Sequence, residues 1–211
     1  MEIKNGIMKL TEITLRNILV TIIVIGAMTG GNLWLHRGDP PLGYGRYDNF
    51  RLTFEYPLLF NVVDAGFPDP SAGANDFIGL AQAQGVWENE YQNYFVIWAT
   101  ESSIPELGDT LEQIYLALAD SGCVIVSKEP IVSTEKEGHE LLYQTITFTQ
   151  AELDFIGTFG VWYEPWSSFH ANRVYMVSYI TFQDVATRLQ VEETFLTFTG
   201  TINSNNGDGT K

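Results

Sequence analysis

The sequence predicts an α+β fold: an antiparallel β-sheet flanked by α-helices and preceded by one N-terminal transmembrane or signal helix. Three observations predict it. Apolar residues recur at every second position in several segments after Tyr47, one central segment carries them at spacings of three and four, and 18 uncharged residues run from Ile18 to Leu35. A period of two marks a strand with one buried face, and spacings of three and four mark a helix with one buried stripe. Runs of strands broken by single helices, without βαβ alternation, build an antiparallel sheet with helices packed on it.

The N-terminal run comes first. Lys4, Lys9 and Arg16 precede Ile18–Leu35, which puts the N-terminus on the cytoplasmic side and the remainder of the chain outside. At about 1.5 Å per residue such a helix spans a bilayer core of about 30 Å only just, with Trp34 at the far interface. Residues 1–37 are therefore read as a signal anchor, with a cleaved signal peptide as the alternative, since Ala27-Met28-Thr29 offers a small-x-small site. Residues 38–46, with Pro40, Pro41, Gly43 and Gly45, read as a linker.

Residues 47–202 read as one domain of ordinary size. Phe50, Leu52, Phe54 and Tyr56 alternate with Arg51, Thr53 and Glu55, and Pro57 ends that strand. A Gly/Pro/Asp-rich loop is expected from Asp64 to Asn75, then strands over Phe77–Ala83 and Tyr94–Thr100. Leu107, Leu111, Ile114, Tyr115 and Leu118 form the helical stripe, with Asp109 and Glu112 as an N-terminal capping pair and Gly122 as the stop. Further strands are expected at Val124–Ser127, Ile131–Thr134, Glu140–Thr149, Phe155–Tyr163 and Arg173–Phe182, with a turn at Glu135–Gly138. A closing helix from Asp184 to about Phe198 places Val191, Phe195 and Phe198 on one stripe, and 203–211 form a polar, disordered tail.

Charge narrows the partners. From Asp39 onward the chain carries 24 Asp and Glu against 7 Lys and Arg, a net of −17. Such a surface repels phosphate backbones, which excludes nucleic acid as a partner and disfavours adhesion to anionic lipid heads. The single cysteine, Cys123, excludes an internal disulfide, and its apolar neighbours mark it as a small buried hydrophobe.

Chemistry is sparse. His36, His139 and His170 have no second ligand at metal-binding spacing, and neither a nucleophile elbow nor a phosphate-cradling or dinucleotide-binding glycine loop occurs, so no cofactor is expected. Ser133-Thr134-Glu135-Lys136 has the spacing of a serine nucleophile with a lysine base, but its companion motifs are absent. Glu88/Glu90 and Glu192/Glu193 are paired carboxylates that could do acid–base work, but a solvated acidic surface explains them. The distinctive stretch is Trp162-Tyr163-Glu164-Pro165-Trp166-Ser167-Ser168-Phe169-His170, whose large rings offer contact area at low entropic cost. Trp162, Tyr163, Trp166 and Phe169 are the candidate partner-binding residues, with Trp166 as the ring expected to face solvent; the competing reading has Trp162 and Phe169 capping the core edge.

Several residues in order resemble the PsbP-like superfamily, which includes the extrinsic photosystem II protein, a yeast Ran-binding protein and many exported bacterial and archaeal proteins. They are Tyr47-x-x-Phe50 leading to Phe54-x-Tyr56-Pro57, then Thr110-Leu111-Glu112, then Arg173-x-Tyr175-x-Val177-x-Tyr179, and a last helix closing through Phe195 and Phe198. Leu58-Leu59-Phe60 departs from the family, which has a tryptophan after the tyrosine-proline pair. The resemblance implies a sheet sandwiched by helices and a binding or assembly role, with no catalytic residues. A tethered extracytoplasmic binding domain for an unknown protein partner is the functional expectation, and a hydrolase or a small-ligand carrier is the alternative.

Overall fold

The computed structural model describes residues 43–48, 52–58, 60–68, 77–87, 90–101, 106–166 and 171–204. The strands are β1 (Tyr44–Asp48), β2 (Leu52–Pro57), β3 (Asn61–Pro68), β4 (Phe77–Trp87) and β5 (Glu90–Glu101), followed by helix α1 (Leu107–Asp120). Then come β6 (Val124–Lys128), β7 (Val132–Lys136), β8 (His139–Gln150), β9 (Leu153–Trp166), β10 (Ala171–Phe182), helix α2 (Arg188–Thr201) and β11 (Asn203–Ser204). Eight strands form one antiparallel sheet in the order β3-β4-β5-β10-β9-β8-β6, with β7 following β6 along the outer edge of β8. A second sheet has the order β1-β2-β11.

Alternation along the strands divides the core in two, because successive side chains point to opposite faces. One face gathers Phe95, Ile97, Ile146, Phe148, Phe159, Val161 and Met176 under the α1 stripe of Leu107, Leu111, Ile114 and Leu118. The opposite face gathers Tyr94, Val96, Trp98, Tyr143, Trp162, Tyr175, Val177 and Tyr179 under α2 and the small sheet, through Val191, Phe195, Phe198, Leu52 and Phe54. The sheet is thus covered on both sides, and its long strands read as nearly continuous apolar runs. Two glycines allow the closest approaches. A Cβ on Gly160 would stand 2.5 Å from the Phe195 ring of α2, and one on Gly79 would stand 2.1 Å from Trp98. A row of rings on the α1 face, Phe148–Phe155–Phe182–Tyr91, crosses four strands at centroid spacings of 5.4, 5.2 and 5.3 Å.

The helix ends differ from the expected caps. Glu106, not Asp109, is the N-cap of α1, and its side chain makes no capping bond. Glu112 is turned aside to Lys128 of β6, whose ammonium donates to both carboxylate oxygens at 3.1 Å. Gly122 does stop the helix at φ +87°: its N–H donates to Ala119 O, and the Cys123 N–H to Leu118 O, the paired closure that a left-handed residue allows. The α2 helix begins at Arg188 rather than Asp184 because Thr187 caps it. Thr187 Oγ1 accepts from the Gln190 N–H, and Gln190 Oε1 accepts from the Thr187 N–H.

Three segments taken as irregular are strands. Tyr44–Arg46, read as linker, pairs with Glu55–Pro57, and Gly45 is there because the Tyr56 ring lies on it, 2.9 Å from where a Cβ would stand. Asn61–Pro68 is β3, paired with β4 along its length, although Asp64 and Gly66 placed its second half in a loop. Asn203 and Ser204, read as the start of the tail, pair with Thr53 and Leu52. No described helix is long and apolar enough to cross a membrane, and Ile18–Leu35 lies outside the described residues.

Candidate functional site

The expected aromatic loop is mostly strand. β9 runs through Trp166 and pairs with β10 up to Trp166↔Ala171, whereas its pairing with β8 reaches only Val161. Trp162–Trp166 therefore lie beyond the last pairing with β8 and are laddered to β10 alone. Pro165, which has no N–H to offer a ladder, occupies that outer stretch and is exposed.

Period-two geometry separates the four candidate rings. Trp162 is wholly buried on the α2 face, stacked on Tyr175 at 4.8 Å and 13°, with its indole N–H donating to Glu164 Oε1 at 3.0 Å. Its expected role as a contact residue is corrected: with no exposed surface it is a core ring that fixes the root of the hairpin. Tyr163 points to the α1 face and is half-buried against that core. Trp166 closes the ladder opposite Ala171, and Phe169 lies outside the described residues.

Two buried cations sit around this root, and sequence reading missed both. Arg173 lies directly across the ladder from Glu164. Lys136 places its ammonium 5.4 Å from the Trp162 ring and donates to Ile202 O at 2.9 Å, which satisfies a carbonyl at the negative C-terminal end of α2. Trp162 and Tyr175 each stand two positions from a charged residue, Glu164 and Arg173, within an apolar alternating strand, which was the only hint in the sequence that charges are buried here.

Other chemical candidates are dispersed. Ser133 and Lys136 are three apart on a strand and point to different faces: the Ser133 hydroxyl donates to Glu140 Oε1 at 2.8 Å, while Lys136 serves Ile202. The nucleophile-base pairing is not formed. Glu192 accepts from Thr145 at 3.2 Å and lies 3.6 Å from Arg188, so it is an interior tie rather than half of an acid pair. His139 closes the hairpin opposite Lys136, while His36 and His170 are outside the described residues. Among the described residues no three His, Cys, Asp or Glu gather as metal ligands. Cys123 is buried, and desolvation pushes its thiol pKa up, with a Ser121 hydrogen bond pulling the other way.

No family model matches the chain, and no curated protein matches it. Among solved structures the chain is similar to cyanobacterial PsbP (CyanoP) from Synechocystis sp. PCC 6803, at a TM-score of 0.42 and 14% identity, over 79% of this chain and 97% of that one. At that score the overlap establishes neither a partner nor an activity.

Proposed function

We propose that this chain is a binding or assembly-accessory domain held at the outer face of a membrane by Ile18–Leu35, and that it meets a protein partner at the overhanging end of the β9–β10 hairpin. The observation that supports this most is the construction of that end. Its root is locked by a buried stack, Trp162 on Tyr175 with Lys136 nearby, while Tyr163, Glu164 and Pro165 stand past the last β8 pairing. A rigid base under a partly exposed aromatic and proline tip holds contact residues without an ordering cost on binding. The dispersal of Ser133, Lys136 and Glu192 to structural partners favours binding over hydrolysis.

Trp166→Ala tests the reading, because it removes a ring from the tip and leaves the root intact. Stability is expected to stay within about 0.5 kcal/mol, while capture of the partner from solubilised native membranes weakens by roughly 2 kcal/mol. Loss of several kcal/mol of stability, or unchanged capture, defeats the reading. The tether is tested separately: external protease on intact cells is expected to digest the domain and spare the residues before Arg16, and full protection of the domain would contradict it.

A further inference from the structure

Along its outer edge the large sheet ends in two short strands that lie end to end on β8. The first, β6, is blunted: its register shifts between Ile125 and Ser127, and Pro130 follows it. Bulges and prolines are devices that stop an edge from recruiting another strand. The second, β7, has neither. Val132, Ser133, Thr134 and Glu135 are all exposed, and its one lysine, Lys136, is turned inward to Ile202 instead of guarding the edge.

A helix lies alongside this open edge. Arg188, at the start of α2, donates to Glu129 just before β7 at 2.9 Å, and Ile202, at the end of α2, accepts from Lys136 at the end of β7. The helix and the strand therefore run in the same direction, pinned at both ends. Their lengths agree: 14 helical residues at about 1.5 Å and seven extended steps at about 3.3 Å both span about 20 Å. Phe195 seats α2 against Tyr143 of β8, at a centroid distance of 5.6 Å, and against Gly160 of β9, so the helix stands over the strands inside β7 and leaves β7 uncovered. The result is a groove with β7 as one wall and a flank of α2 as the other.

The lining of that groove is apolar where solvent reaches it. Val132 stands opposite Tyr143 and so on the α2 side. Leu189 and Leu196, two turns apart on α2, share the flank of Glu192, which is tied to Thr145 of β8. Leu189 is 68% exposed, Leu196 39% and Val132 38%. The edge is acidic on both faces: Glu193 is exposed on the α2 side and Glu137 in the turn after β7, while Glu135 and Glu140 stand opposite each other, exposed, on the other face. The nearby cations are engaged, Lys136 with Ile202 and Arg188 with Glu129 and Glu192. A second copy of this chain would bring the same carboxylates against one another.

We propose that the free side of β7 takes an extended peptide segment, aliphatic at alternate positions and flanked by Lys or Arg, which adds to β7 as an outer strand bordering this groove. Backbone hydrogen bonds supply the pairing, the aliphatic side chains on the α2 side lie beside Val132 and extend the apolar strip that continues to Leu196 and Leu189, and the basic flanks meet the carboxylates on both faces of the edge. This surface is distinct from the hairpin tip, and its occupancy does not depend on that site.

The probe is a labelled synthetic peptide of alternating valine and threonine with lysines at both ends, titrated into the full chain in detergent and read by fluorescence anisotropy. Saturable binding is expected. It should weaken by about tenfold or more when alternate peptide nitrogens are methylated, when the flanking lysines become glutamates, and in Leu196→Asp. Leu189→Asp repeats the test at the more exposed position should Leu196→Asp alter the melting curve. Equal binding of the methylated peptide, or no saturable binding, overturns the proposal. So does a dimer in sedimentation velocity that Leu189→Asp dissociates, since the edge would then belong to a second copy.

Discussion

Trp162 shows how one position decides between core and contact. It is stacked on Tyr175, has its indole N–H bonded to Glu164 and is wholly buried. Truncation to alanine removes a large ring from a packed interior that collapses only in part, so Trp162→Ala is expected to cost about 3–5 kcal/mol in a denaturant titration. A loss under about 1 kcal/mol would place the ring outside the core. The neighbouring Tyr163 carries the lesson for sequence reading. In a strand, adjacent residues face opposite ways, so an aromatic pair within an alternating segment cannot form one surface. That signal was present in the sequence. The prominence of the Trp-Tyr-Glu-Pro-Trp run as a cluster concealed it.

At the scale of elements, the hairpin between β8 and β9 turns through Ala151 and Glu152, both left-handed at φ +51° and +65°. Left-handed backbone disfavours side chains with a Cβ, and two-residue turns of this kind prefer Asn-Gly. The double substitution Ala151→Asn, Glu152→Gly is therefore expected to raise stability by roughly 1 kcal/mol, visible as a later thermal midpoint, and a lower midpoint would show that the turn geometry is misassigned. The hairpin between β7 and β8 already has Gly138, at φ +84°. The elements read correctly from sequence are those whose own side chains declare a buried face: the α1 stripe, β8, β9 and β10. The missed ones, β1, the second half of β3 and β11, owe their conformation to a neighbour. Gly45 looks like a turn until Tyr56 is seen above it, and Asp64 and Gly66 look like a loop until β4 is placed alongside. Burial of Lys136 was hidden for the same reason, since Ile202, which holds it, is 66 residues away.

For the whole molecule, the buried tyrosines set an alkaline limit. Burial raises the phenol pKa values of Tyr94, Tyr179 and Tyr115 well above the ordinary value, and Tyr179 near Tyr94, Glu90 near Tyr179 and Glu112 near Tyr115 push in the same direction. Their unfolded pKa is about 10. Since the folded values are higher, the fold favours the protonated phenols: the stability they contribute is complete below about pH 10 and declines as the pH climbs towards the folded values. Each contributes a slope of about 1.4 kcal/mol per pH unit in that window. Urea midpoints are expected to hold up to about pH 10 and fall beyond it, with tyrosinate absorbance appearing together with unfolding. A full tyrosinate signal from folded protein at pH 11 would show these rings to be open to water.

The small sheet also decides how the domain carries load. β1 enters at the Pro57 end of β2, where Tyr44 pairs, and β11 leaves at the Leu52 end, where Ser204 pairs. Tension between the two ends of the domain would thus draw β1 and β11 in opposite directions along the central strand, in shear, so that all the hydrogen bonds of a strand resist at once instead of opening singly. The two-residue β11 is the shorter grip and yields first. Pulling on the tail would then free the C-terminal end of α2, where Lys136 holds Ile202, before it reached the large sheet.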